Sequence, residues 1–171
     1  MSDLLQQLPT LAGVAIGALT SYFTAFANER TKWRREQLLR RTEKLSLTYA
    51  EYGRAVKEMY QRAMHLGQCC GLPAFGPKIT VEQAKKELSD ANHVRAVRWE
   101  DVLLLGSDES VAAARRWHES IWEMERIAAA EEPDQQAWTA AQRESNDARS
   151  DFYANARKDL GVSGNEVLGR R

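Results

Sequence analysis

The sequence predicts an all-α protein. An N-terminal transmembrane helix continues into a long helix, and later helices complete an up-down antiparallel four-helix bundle. Three observations predict this. Residues 4–28 hold no charged side chain. Residues 38–70 repeat their apolar side chains at alternating three- and four-residue steps. Three later stretches, each of about 25 residues with a helical apolar period, are separated by short connections carrying Gly, Pro or Ser.

Composition agrees. The chain has 171 residues, enough for one domain, with only four Pro and ten Gly. Ala, Glu, Arg, Leu and Gln are abundant and β-branched runs are scarce, which favours helices. The formal net charge is zero, but the charge is unevenly spread. Residues 29–44 carry seven basic side chains against three acidic ones, and residues 100–147 carry twelve acidic against four basic. The only cysteines, Cys69 and Cys70, are adjacent. A disulfide between neighbours strains the backbone, so reduced thiols are expected.

Taken in order, residues 1–28 are expected to form the anchor. The run from Leu4 to Ala27 includes Leu8, Leu11, Val14, Ile16, Leu19, Phe23 and Phe26. At about 1.5 Å per residue it matches a hydrocarbon core about 30 Å thick. Pro9 falls in the first turns, where a missing N–H costs little. A cleaved signal peptide competes, because Ala25-Phe26-Ala27 has the small-x-small form, but no Lys or Arg precedes the run and strongly basic residues follow it. A buried soluble helix is the other competitor. Gly13 and Gly17, four apart, make a flat face on which two transmembrane helices can pack, so a homodimer is one expectation.

Residues 29–43 form the basic juxtamembrane stalk. Arg30, Lys32, Arg34 and Arg35 with Trp33 make a lipid-facing collar, which implies anionic phospholipid as a partner rather than nucleic acid. The positive-inside rule then puts the N-terminus outside and the C-terminal domain in the cytoplasm.

The bundle is expected over 44–161. Leu38, Leu45, Tyr52, Met59 and Leu66 form one row of the seam, and Thr42, Tyr49, Val56, Ala63 and Cys70 the other. Gly71 to Lys78 breaks the helix, and Thr80-x-x-Gln83 caps the next. That second helix runs to about Leu105, where Gly106 stops it and Ser107 starts a third. The third carries Ala114, Trp117, Ile121, Met124 and Ala128 inward and ends about Glu131. Pro133 is expected in the first turn of the fourth, which carries Trp138, Ala141, Ala148, Phe152 and Ala156. Residues 162–171 read as a flexible tail.

These features together resemble a widespread group of bacterial proteins, frequent in actinobacteria, with a single-pass anchor and a helical cytoplasmic part. The resemblance rests on the Trp33-to-Glu36 collar, Ala50-Glu51-Tyr52, the helix end from Arg98 to Gly106, and Ala156 to Gly161. It implies the architecture above and no particular activity.

Chemistry is sparse. His65 and Cys69 share a helix face, but two ligands do not make a zinc site, and His93 or His118 would have to complete it. Asp90-x-x-His93 has no second repeat of the di-iron kind. Glu119 and Glu123, flanked by arginines, read as a charged helix face. No Gly-rich phosphate loop or hydrolase elbow occurs. No catalytic residue, metal or cofactor is therefore expected. Arg95, Arg98, Trp99 and Trp122 lie near or beside the inward stripes. They are the candidate partner surface, with core edge as the competing assignment. The function expected is a non-enzymatic, membrane-tethered interaction module, an adaptor or scaffold with an unknown protein partner. The alternative is an oligomerising, membrane-acting effector or assembly subunit driven by the transmembrane helix.

Overall fold

Among the described residues the chain forms four helices: α1 (Ser2–Cys69), α2 (Val81–Leu105), α3 (Asp108–Ala128) and α4 (Gln135–Asp159). This computed structural model describes the backbone of residues 2–162 and the side chains of residues 36–162. No strand occurs among the described residues. Thr80 caps α2 by accepting from the Gln83 N–H, and Ser107 caps α3 by accepting from Ser110 N–H. The α1 end is closed by Gly71 at φ 75°, with Leu72 N–H donating to the Gly67 carbonyl.

Two boundaries differ from the expectation. Pro133 does not open α4. It precedes the cap, Asp134, whose carboxylate accepts from the N–H groups of Gln136 and Ala137. A carboxylate satisfying two free donors at a positive helix end outweighs the mere tolerance of proline in a first turn. Helix α3 ends at Ala128 rather than Glu131, so it has 21 residues where α2 and α4 have 25.

The chain divides into two units, Met1–Glu43 and Lys44–Arg171. The second holds the core. Side-chain pairings fix its topology. On α1 and α2, Glu51 meets Arg98 and Arg62 meets Glu87. On α2 and α3, Trp99 meets His118 and Asn92 meets Trp122. On α3 and α4, Ser110 meets Asp159 and Arg116 meets Asp151. On α1 and α4, Tyr49 meets Phe152 and Gly67 meets Trp138. Each pairing runs in opposite directions, so consecutive helices are antiparallel and α4 returns beside α1. This is the expected up-down four-helix bundle.

The core follows the stripes. Tyr49, Tyr52, Val56, Met59, Trp117, Ile121, Met124, Trp138 and Phe152 are all buried, and Leu45 packs half-buried against them. Leu38 is a correction: it is 63% exposed. The seven-residue period continues through it, but period alone buries nothing without a facing helix. Leu38 also falls in the first unit, outside the bundle.

Gly67 of α1 lies against the Trp138 ring of α4. A methyl group there would sit 2.5 Å from Trp138 Cζ2. The ring has no easy retreat, because Trp138 is fully buried and its Nε1 donates to the Pro73 carbonyl at 3.2 Å. Gly67→Ala should destabilise residues 44–171. Overpacking costs about 1–3 kcal/mol against about 1 kcal/mol recovered from helix propensity. A urea midpoint equal to or above that of the parent would contradict the tight approach.

Among the described residues no helix is long and apolar enough to cross a membrane. The side chains on which the anchor expectation rests, including Gly13, Gly17, Arg30, Lys32, Trp33, Arg34 and Arg35, lie outside those residues, as do tail residues 163–171.

Candidate functional site

The bundle interior holds one polar centre among aromatic rings. Tyr52, fully buried on α1, places its hydroxyl 2.7 Å from the Ala114 carbonyl and 2.9 Å from His118 Nδ1. Both contacts are satisfied if the hydroxyl donates to the Ala114 carbonyl and Nδ1–H of a neutral imidazole donates to the Tyr52 oxygen. The environment enforces neutrality. Burial, then the positive charges of Arg95 and Arg115, pull the His118 pKa down to about 3. Burial pushes the Tyr52 phenol strongly up. Neither group titrates near neutral pH, so the pair acts as structural wiring between α1 and α3.

Toward the surface, the same cluster opens between α2 and α3. Trp99 meets Tyr52 on one side and His118 on the other, with ring centroids 5.9 and 4.9 Å away. Trp122 packs on His118 at 4.8 Å and stays 39% exposed. The guanidinium of Arg95 lies over Trp122, 5.2 Å from the ring centroid, and that of exposed Arg115 lies 5.9 Å from Trp99. Asn92 Oδ1 accepts from Arg95 Nε at 3.1 Å and from Trp122 Nε1 at 3.4 Å.

Arg95 is unusual here. It is only 5% exposed, yet no carboxylate lies within 4 Å of it among the described residues. Burial lowers its pKa, but a guanidinium stays charged in a folded protein. Its two terminal nitrogens have no hydrogen-bond partner among the described residues, and they are not fully enclosed.

Three of the four expected partner residues thus meet: Arg95, Trp99 and Trp122. Arg98 does not join them. It sits toward α1, bound to Glu51 at 3.0 Å, beside a groove of about 380 Å³ that Arg54 and Glu58 also line. The expectation also needs correcting for Arg95 and Trp99. Most of each side chain belongs to the core edge, and the accessible part is the guanidinium tip and the Trp122 face. The sequence gives no sign of Arg115 or Asn92 here, and offers His118 only as a completing metal ligand. The available signal was position: His118 follows inward Trp117 and lies four residues after inward Ala114.

A second polar cluster ties one end of the bundle. Asp159 accepts from Tyr49, from Ser110 Oγ at 2.6 Å and from Ser107 Oγ at 2.8 Å. Burial raises the Asp159 pKa, but these hydrogen bonds outweigh it and hold the carboxyl below its usual range. Burial and then the same carboxylate push Tyr49 up to about 12. Of the metal candidates, Cys69 Sγ donates to the Ile79 carbonyl, and His65 Nδ1 lies 3.7 Å from Glu87. Among the described residues no three His, Cys, Asp or Glu side chains gather as a metal site.

No protein-family model matches the chain, and neither a curated protein nor a solved structure gives a match.

Proposed function

We propose that the chain is a non-enzymatic, membrane-tethered interaction module, an adaptor or scaffold on the cytoplasmic face of a bacterial membrane. The observation that carries this reading is the Arg95–Trp122 face, where a buried cation has no carboxylate partner among the described residues and lies over the exposed Trp122 ring. Tryptophan and arginine are the residues in which binding energy concentrates at protein interfaces. The polar groups deeper in the cluster are locked to one another, so they support positioning rather than proton transfer. The uncharged run of residues 4–28 and the collar from Arg30 to Arg35 support the membrane location, with anionic phospholipid under the collar and the N-terminus outside.

The Gly13–Gly17 spacing favours a second reading, an oligomerising membrane effector or assembly subunit. One experiment separates the two. Gly13→Ile with Gly17→Ile blocks close helix packing without reducing hydrophobicity. In native membranes, crosslinking followed by mass spectrometry should recover the same partners from the double variant as from the parent. Normal insertion with loss of self-crosslinks and of the cellular phenotype would establish the effector instead.

A further inference from the structure

We infer that the Arg95–Trp122 face between α2 and α3 receives a carboxylate, and that this carboxylate is an acidic side chain of the partner protein. The inference deepens the interaction-module reading and rests on it.

The donor is prepared. Asn92 fixes Arg95 Nε and the Trp122 indole at once, so the guanidinium plane is held over the ring before anything binds. What remains unused are the N–H groups of the two terminal nitrogens. They form the planar fork that matches two carboxylate oxygens. Leaving a desolvated cation unpaired is costly, and an incoming carboxylate removes that cost. Few side chains need to be reordered, which favours binding.

The chemistry points to a planar monoanion rather than a phosphate. Arg95 is the only buried cation of the described cluster. The site is built from mid-helix side chains, so no helix N-terminus adds donors. Exposed Glu119 lies near enough for its charge to act on Tyr52, and that negative field opposes a dianion more than a monoanion. The rim points to a protein rather than a free small acid. Trp122, 39% exposed, would remain wet around a small molecule, whereas a protein segment covers it.

The test uses the full-length chain in lipid nanodiscs. It follows the nitrogen resonances of Arg95 Nε and Trp122 Nε1. The probes are N-acetyl-glutamate amide, its glutamine isostere and inorganic phosphate at matched ionic strength. The glutamate probe should shift both resonances and the glutamine isostere neither. Phosphate should bind about tenfold more weakly or worse, and Arg95→Lys should weaken the glutamate probe by about tenfold or more. Arg95→Gln should abolish the Trp122 response. Should that variant fail to fold, Asn92→Ala keeps the cation but loses its orientation, and must still weaken binding. No shift with the glutamate probe, an equal response to phosphate, or a response indifferent to these substitutions overturns the inference.

A photocrosslinker at Arg115, exposed beside Trp99, supplies the second arm in native membranes. Its capture of a partner should be competed by the glutamate probe and not by the isostere. Capture immune to the probe overturns the inference and leaves the interaction module standing. Probe binding without capture assigns the site to a free small carboxylate and overturns the partner side chain. Absence of capture from every surface position of the bundle overturns the module itself.

Discussion

Tyr52→Ala is expected to destabilise residues 44–171 by about 3–5 kcal/mol, the usual range for deleting a large buried aromatic. The side chain is fully buried and packs on Trp99, Trp117 and Phe152, so its loss opens a cavity touching α2, α3 and α4 at once. It also strips the Ala114 carbonyl and His118 Nδ1 of a partner. Tyr52→Phe separates the two effects. It keeps most of the volume and should cost about 1–3 kcal/mol for the buried groups left unsatisfied. Denaturant midpoints at constant slope measure both. An unchanged midpoint for Tyr52→Ala would mean that this residue does not hold the bundle together.

The second large effect is a pH dependence. In the unfolded chain His118 takes up a proton near 6.5, but in the bundle only near 3, because burial and then Arg95 and Arg115 oppose the charge. Between those values the unfolded chain binds more protons, so stability falls as pH drops below 6.5 and is flat above it as far as this residue is concerned. At about pH 4.5 the loss from this residue should reach roughly 2–3 kcal/mol. Below the usual carboxylate range Asp159 adds to the loss, since its folded pKa is held down and its stabilising contribution disappears as it protonates. A His118→Gln variant should be less stable at neutral pH, and its stability should no longer fall between pH 6.5 and 4.5. A parent protein equally stable at both values would show that the imidazole is not held neutral by burial.

Local signals were the readable ones. Thr80, Ser107 and the Gly71 stop act within a few residues of themselves, and the helix starts and turn follow from them directly. The stripes through Val56, Trp117 and Phe152 were readable for the same reason, since periodicity is a property of one helix. What depends on a facing helix was harder to read. Leu38 continues the period, yet stays exposed. Ser145 interrupts the stripe between Ala141 and Ala148 as a polar residue, yet it is buried with them. Arg95 was recognised as close to the inward stripe of α2, but its lack of a carboxylate partner is a fact about α3 that no spacing on α2 contains. His118 was weighed as a metal ligand when its partner was a tyrosine 66 positions earlier.

Asp159 has a consequence for the order in which the bundle assembles. One carboxylate, in the last turn of α4, joins Tyr49 of α1 to the serines at the α2–α3 corner. Tyr49 and Asp159 are 110 positions apart, so closing that end carries the largest loop-closure cost in the bundle core. During synthesis the first three helices emerge with Tyr49, Ser107 and Ser110 still lacking their common acceptor. The flank of α1 that later faces α4 also stays uncovered, with Gly67 waiting for Trp138. A chain truncated before Asp159 is therefore expected to leave Tyr49, Ser107 and Ser110 without that acceptor and the bundle less stable.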